Sequence, residues 1–219
     1  MGIITGFKIY PVNEGNGIAV IELYTSQGCS SCPPADRLLS ETIAKAKKDG
    51  SKIFALSFHV DYWNRLGWKD PFSDHKFSER QRVYADAMKL SSVYTPQMIV
   101  NGHNKITGSE RTALANALNT ALTEPALVKF KQLSAISVRK TYRVQYDVYG
   151  TIARCKINFA LVSLRETTTV NQGENSGRTL ENENVVRQLI SIEAKQTGMI
   201  DFAPEPVPQE NNIAIIAFV

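Results

Sequence analysis

Two cysteines separated by two serines, Cys29-Ser-Ser-Cys32, are the side chains of this sequence best suited to chemistry. In a Cys-x-x-Cys pair one thiol attacks a partner disulfide and the second resolves the mixed disulfide that forms. The attacking species is the thiolate, so what surrounds the pair decides its reactivity. Ile18 to Tyr24 is apolar or aromatic except for Glu22, a short run that predicts a buried strand. Gly28 supplies a sharp turn. Pro33 and Pro34 stand where a helix begins, because the first helical N–H groups have no intrahelical partner. Ala35, Leu38, Leu39, Ile43 and Ala46 then recur at helical spacing, and Gly50 ends the run. Cys29 is therefore expected at or just before a helix N-terminus, whose partial positive charge favours thiolate over thiol. On this reading Cys29 is the attacking and more exposed thiol. Cys32, one turn inward, is the resolving thiol.

The same two residues admit other uses. Half of a zinc site would want a second Cys or His pair at close spacing, and the chain has only one more cysteine and three histidines, none so paired. A permanent bridge closing two intervening residues would constrain the unfolded chain very little. A soft metal such as Cu(I) could be held by Cys29 and Cys32, with His59 or Met98 completing the site. Last, the pair could be incidental to a protein-interaction scaffold. Thiol–disulfide exchange needs no resident cofactor and no metal, and its partners would be protein thiols and disulfides or small thiols.

Tyr24-Thr25-x-x-Gly28-Cys29-x-x-Cys32 resembles the active-site segment of glutaredoxins. Tyr94-Thr95-Pro96-Gln97-Met98-Ile99-Val100-Asn101-Gly102 resembles the thioredoxin-superfamily segment that carries a cis-proline, and the likeness continues through Ile106-Thr107-Gly108-Ser109. The resemblance implies a thioredoxin-like fold in which Pro96 packs against the cysteine pair and Thr95 offers backbone hydrogen bonds to a bound peptide or thiol. The longer string Thr25-Ser-Gln-Gly-Cys-Ser-Ser-Cys-Pro-Pro-Ala-Asp36, with His59-Val-Asp-Tyr-Trp63 and Leu66-Gly-Trp-Lys-Asp-Pro-Phe72, is similar to an uncharacterised family of secreted bacterial thioredoxin-like proteins. That likeness covers most of the chain and implies the periplasm or the cell exterior. Thioredoxins carry a buried acid on the strand before the cysteines. By resemblance Glu22 is the candidate, a carboxyl of raised pKa able to accept the proton of Cys32. Glutaredoxins often place a lysine before the first cysteine to anchor a glutathione carboxylate. Here Ser26 and Gln27 stand there, so that charge is missing. A helix N-terminus at Ser109 could still hold a carboxylate.

The segments around the pair bring these residues together. A second apolar run, Lys52 to Val60, predicts a parallel strand after the cysteine helix and hence a right-handed βαβ unit. Ligands bind beyond the carboxyl ends of such strands, where Cys29 and then His59, Asp61, Tyr62 and Trp63 fall. His59 or Asp61 could tune Cys29 or shuttle a proton. Tyr62, Trp63 and Trp68 could line a substrate groove. Against this, the aromatics could simply pack an insertion of about residues 61–92, with His59 hydrogen-bonded in place. Ser78-Glu-Arg-Gln81 fits a capping box opening a helix to about Leu90, with Val83, Tyr84, Ala87 and Met88 inward. His75 before it and His103 in the next turn are expected to be exposed. Met98 to Val100 reads as a strand, Asn101-Gly102 as a hairpin turn, and Lys105 to Thr107 as its antiparallel partner. Gly108-Ser109 is expected to cap a helix carrying Ala113, Leu114, Ala117, Leu118 and Ala121 on one face, which Pro125 stops.

After Pro125 the pattern alternates, predicting strands with one wet face around Ile136 to Val148 and Ala153 to Leu161, with Cys155 on the apolar face. Thr167 to Asn184 reads as a long polar loop. Within and beside it, Asn175-Ser-Gly-Arg-Thr179 and Asn184-Val-Val-Arg187 resemble family motifs without chemistry of their own. Val185 to Ile192 and Ile213 to Val219 read as strands, with Pro204, Pro206 and Pro208 between. The expected organisation is an α/β thioredoxin-like domain over 1–125, built from a βαβ and a ββα unit, then a β-rich, sandwich-like domain over 126–219.

Composition bounds the rest. The 219 residues are 43% hydrophobic and 21% charged, values of an ordinary globular chain. A net charge of +4 with scattered basic residues does not call for nucleic acid. No apolar run approaches the ~20 residues that span a membrane. A signal peptide is not visible at Met1, and Asn13 to Gly17 reads as a turn.

Overall fold

The structure is a computed structural model and describes residues 17–219. Among the described residues the chain forms three α-helices and ten strands. These are β1 (Ala19–Thr25), α1 (Pro33–Asp49), β2 (Ile53–His59), α2 (His75–Ala87), β3 (Gln97–Val100), β4 (Asn104–Thr107), α3 (Arg111–Ala121), β5 (Val128–Val138), β6 (Thr141–Gly150), β7 (Lys156–Thr169), β8 (Thr179–Glu193), β9 (Thr197–Phe202) and β10 (Ile213–Phe218). The fold is mixed α/β, with a seven-stranded mixed sheet in the order β10-β7-β8-β2-β1-β3-β4 and a three-stranded sheet β5-β6-β9. The chain divides into two units. One holds Gly17–Glu124 and Arg165–Val185, and the other holds Pro125–Leu164 and Val186–Val219. Residues 165–185 thus group with Gly17–Glu124, apart from the rest of 126–219.

In the first unit β1 and β2 run parallel in the register Ala19↔Ile53 to Thr25↔His59, so both strands end side by side. The connection between them is α1. β3 pairs antiparallel with β1, and β4 antiparallel with β3. Ile21, Leu23, Met98 and Val100 from the sheet bury with Leu38 and Leu39 of α1 and Leu114 and Leu118 of α3. The opposite face is aromatic. Tyr24 stacks on Phe58, Phe58 meets Phe77 of α2 edge-on, and Tyr24 meets Tyr84 edge-on. Strands covered on both faces read as unbroken apolar runs, which is why β1 and β2 were visible in the sequence.

Three local expectations are corrected. The cap of α2 is Asp74, whose side chain accepts from the Lys76 N–H, so the helix begins at His75 and not at Ser78. Its inward residues are Phe77, Ser78, Gln81 and Ala85, while Val83 is 68% exposed and Ala87 is exposed. The apolar side chains mislead here because polar Ser78 and Gln81 turn inward to make hydrogen bonds. α3 starts at Arg111 with Glu110 at the cap position, so Gly108-Ser109 is not its cap. Gly108 serves packing. A Cβ there would sit 2.6 Å from Pro96 Cβ and 3.0 Å from Ala35 Cβ. The hairpin turn forms as expected, with positive φ at Asn101 and Gly102. The Asn101 side chain also accepts from Val20 N–H at 2.7 Å and donates to the Ile18 carbonyl at 2.8 Å, tying the turn to β1.

In the second unit β6 lies between β5 and β9, and β10 pairs antiparallel with β7. Tyr142, Val144, Tyr146 and Val148 of β6 bury with Ile157, Phe159 and Leu161 of β7 and Phe202 of β9. β7 has no wet face over Ile157–Ser163, all of which is buried. Cys155 lies outside the strand and is only half-buried, its thiol directed at the Thr151 and Ala153 carbonyls. The polar stretch 167–184 is mostly strand. The β-branched Thr167, Thr168 and Thr169 extend β7, and the loop is confined to 170–178. β9 was missed because its apolar residues, Met199, Ile200 and Phe202, make too short a pattern.

Gly108→Ala is expected to destabilise the chain by about 1–3 kcal/mol through overpacking against Pro96 and Ala35. Urea unfolding measures it. An unchanged midpoint would show that the contact relaxes freely.

Candidate functional site: the Cys29–Cys32 pair

Cys29 and Cys32 form a disulfide just beyond the end of β1. The turn is built by its own backbone. Gly28 N–H donates to the Ser26 hydroxyl at 3.1 Å, Cys29 N–H to the Ser26 carbonyl at 3.1 Å, and Cys32 N–H to the Cys29 carbonyl at 3.2 Å. Cys32 is the cap residue of α1, with Pro33 and Pro34 in the first turn, so the helix opens one residue after the pair closes. Both cysteines are fully buried, which corrects the expectation that Cys29 is the exposed one. Ser30 and Ser31 between them are exposed, and the Ser31 hydroxyl lies 3.3 Å from Cys29 Sγ.

Side chains from distant segments grip this turn. Asp70 accepts the Gln27 N–H at 2.8 Å and faces His59 Nδ1 at 2.7 Å, both side chains being fully buried. Burial alone would raise the Asp70 carboxyl. The His59 charge and hydrogen bond, with N–H donors from Gln27 and Phe72, outweigh it and hold Asp70 below the usual carboxylate range. An ionised carboxylate only accepts, so His59 carries its proton on Nδ1. Gln27 has its side chain fixed by Trp68 Nε1 at 3.3 Å and by Asn182 at 3.3 Å. From the β7–β8 loop, the buried Asn175 amide donates to the Gln27 and Cys29 carbonyls, each at 2.9 Å, and accepts from Arg178 at 2.6 Å. Its neighbour Glu174 accepts the Ser30 N–H at 2.9 Å.

The remaining expected residues fall in different places. Trp63 backs onto Gly28 and donates its Nε1–H to the Thr95 hydroxyl at 2.7 Å, which joins it to the Thr95–Pro96 segment. The Thr95–Pro96 peptide is cis, and Pro96 is buried. Tyr62 donates to Gln81 at 3.1 Å, and burial pushes its hydroxyl up to about 12. Asp61 is tied to α2 instead of the cysteines. Burial would raise it, but bonds from Ser78 and His75 leave it below the usual range. His75 and His103 are exposed, as read from sequence.

Glu22 faces α2 and not the cysteines. It is clamped by Arg80 through Nε at 2.6 Å and Nη2 at 2.9 Å, and it accepts from Tyr84 at 2.6 Å and Tyr24 at 3.2 Å. A different acid occupies the ground behind Cys32. Asp36 lies one helical turn on, its N–H donating to the Cys32 carbonyl at 3.1 Å. It is buried, and Oδ1 has no hydrogen-bond partner among the described residues. Burial pushes its carboxyl up to about 7, against the opposing His59 charge and with help from Asp70. The sequence signal was present: Cys32, Asp36 and Leu39 fall on one helical stripe, and a carboxyl within an apolar stripe is informative. For Asn175, 146 residues beyond Cys29, sequence offers no comparable signal. The metal reading meets an obstacle, since His59 Nδ1 is committed to Asp70, and among the described residues no cluster of three or more His, Cys, Asp or Glu could hold an ion.

A carboxyl titrates near 4 in an unfolded chain. Asp36 holds its proton to about 7 in the fold. The stability that goes with this extra proton is full below pH ~4 and is lost as pH rises through ~7. Asp36→Asn removes that loss. Relative to the parent its stability is expected to climb between pH ~4 and ~7 and then level off, by up to ~4 kcal/mol at about 1.4 kcal/mol per pH unit. Urea unfolding across pH measures this, and parallel profiles for parent and variant would show that Asp36 does not hold the proton.

Comparison with known proteins places the chain. It is similar to the crystal structure of protein AGR_C_4864 from Agrobacterium tumefaciens, at 23% identity and a TM-score of 0.64, over 94% of this chain and 96% of that one. It is also similar to HBP35 of Porphyromonas gingivalis, at 11% identity and a TM-score of 0.60, over 94% of this chain and 70% of that one. At these identities the likeness is one of fold. No curated protein matches the chain. A family model described as protein of unknown function (DUF1223) matches residues 20–219, nearly the whole sequence, and the chain therefore belongs to the DUF1223 family.

Proposed function

We propose that the protein is a thiol–disulfide oxidoreductase whose first unit has a thioredoxin-like fold, acting on protein thiols or disulfides or on small thiols. The observation that carries this is a Cys29–Cys32 disulfide at the junction of a parallel strand end and a helix start, held by side chains from two distant segments, Asp70 before α2 and Glu174 and Asn175 of the β7–β8 loop. A bridge spanning two residues contributes little to stability, so such a framework fits a redox pair better than a structural one. The parallel β1–β2 pair, the antiparallel β3–β4 hairpin and the cis Thr95–Pro96 peptide support the fold reading. Residence in the periplasm or outside the cell follows from the same reading, because disulfides persist there. Among the described residues no helix is long and apolar enough to cross a membrane.

In the oxidised protein a substrate thiolate attacks Cys29 Sγ. The Cys29–Cys32 bond breaks, a mixed disulfide forms on Cys29, and Cys32 leaves as thiolate. A second substrate thiol then attacks the mixed disulfide. The substrate is released as its disulfide, and the protein is left as the dithiol, two electrons richer. In reverse, Cys29 attacks and Cys32 resolves. Asp36, one turn behind Cys32 and protonated up to about 7, is the group that exchanges a proton with that leaving thiolate. Thr95, with Pro96, borders the groove, and Trp63 fixes the Thr95 hydroxyl.

Thiol trapping in graded redox buffers is expected to give one two-electron couple between roughly −120 and −270 mV. A value below about −300 mV would make the pair a structural bridge. With Cys32→Ser, Cys29 is expected to accumulate as a mixed disulfide with a thiol or protein substrate. Absence of that adduct, together with absence of a couple, would remove the redox reading.

A further inference from the structure

Glu174 is an acidic side chain that touches the Cys-x-x-Cys segment itself. Its carboxylate accepts the Ser30 N–H at 2.9 Å, and hydrogen bonds from Ser30 keep it below the usual glutamate range, hence ionised. This is not a casual surface contact. The adjacent Asn175 is fully buried and bridges the Gln27 and Cys29 carbonyls, which anchors the loop carrying Glu174. Within that loop Val170 N–H bonds the Arg178 carbonyl, Gly177 N–H the Val170 carbonyl, and Ser176 N–H the Gly173 carbonyl, so its path is set. Arg178, the nearby cation of the same loop, directs its guanidinium at the Asn175 amide oxygen.

Ser30 and Ser31 are the exposed residues of the motif, so a substrate reaches the buried sulfurs from the side on which Glu174 lies. The N–H next to Cys29 is where an incoming anion would otherwise be received, and a carboxylate of the chain already fills it. We propose that Glu174 is a specificity determinant that selects against anionic thiols and disulfides and in favour of neutral or cationic ones, such as protein cysteines flanked by basic residues. This rests on the redox reading above and names its substrate class. Exchange follows the balanced steps already given; Glu174 changes only the electrostatic work of bringing the thiolate-bearing molecule to Cys29 Sγ. An exposed carboxylate beside the motif acts through high dielectric and is screened by salt.

The experiment uses three small thiols of similar size, 2-mercaptoethanesulfonate (anionic), 2-mercaptoethanol (neutral) and cysteamine (cationic). The rate at which each reduces the Cys29–Cys32 disulfide is followed by thiol trapping, at low and high salt, in the parent, Glu174→Gln and Glu174→Ala. Each rate is taken as a variant-to-parent ratio, so that intrinsic thiol reactivity cancels. Glu174→Gln is expected to raise the ratio for the anionic thiol ~3- to 10-fold over that for the neutral one and to lower it for the cationic one, with both differences shrinking at 0.5 M salt. Equal ratios for all three thiols would overturn the proposal, leaving Glu174 a purely structural tether. If no thiol reduces the parent at all, it is the redox reading that fails. Glu174→Ala separates charge from hydrogen bonding, because charge selection predicts the same ordering in both variants.

Discussion

The Asp70 carboxylate is the anchor on which the arrangement around the cysteines depends. It is buried and ionised, a state that costs several kcal/mol unless donors surround it. Here they do: His59 Nδ1, the Gln27 N–H and the Phe72 N–H all point at it. Those donors come from the end of β2, the turn after β1 and the segment before α2. One charge thus fastens three pieces of chain that the sheet alone would leave to diverge. Because Gln27 is two residues ahead of Cys29, the direction in which the chain enters the disulfide is set by that same carboxylate. Removing it would leave the His59 ring and the Gln27 N–H buried without their acceptor, a larger penalty than the loss of any one bond.

The same neighbourhood holds two acids in opposite states. Asp70 is kept ionised by donors, while burial, with the Asp70 charge adding to it, pushes Asp36 up to about 7 against the His59 charge and a Thr25 hydrogen bond. His59 acts on both, but it is bonded to Asp70, so its stabilisation falls there first. Environments that drive two carboxyls apart in pKa assign them different work. Asp70 is scaffolding, and Asp36 retains a proton near neutrality within one helical turn of Cys32. The glutamate on β1 belongs to neither class. Glu22 is neutralised by a two-pronged contact from Arg80 and serves to fasten α2 to the sheet.

What could be read in the sequence follows from what is local. The strand, turn and helix around Cys29 and the β3–β4 hairpin were legible because period, glycine and proline signals act over a few residues. α2 was misphased because its buried face is partly polar: Ser78 answers Asp61, and Gln81 answers Tyr62, Tyr94 and Gln97. Periodicity counts apolar side chains, so a face buried for hydrogen bonding is invisible to it. Glu22 drew attention as a buried acid, yet its partner Arg80 lies 58 residues away and leaves no mark on the local pattern. The β7–β8 loop is the extreme case. Its polar composition reads as solvent-exposed, but Asn175 is fully buried and spans to Gln27 and Cys29.

These contacts also limit how a partner engages the pair. Around the disulfide much of the backbone is already paired from within. The Gln27, Gly28, Cys29, Ser30 and Cys32 N–H groups all have acceptors. The Gln27 and Cys29 carbonyls are taken by Asn175, and the Cys32 carbonyl by the first turn of α1. A substrate that tried to add itself as a strand along this segment would have to displace bonds worth about as much as those it made. On the proposed redox reading, recognition would then fall to side chains and charge on the exposed Ser30–Ser31 side and to the Thr95–Pro96 segment. If the pair exchanges with a partner as proposed, a segment held by this many internal bonds gives up much of its backbone pairing as a means of selection, and in exchange presents its disulfide in a set orientation.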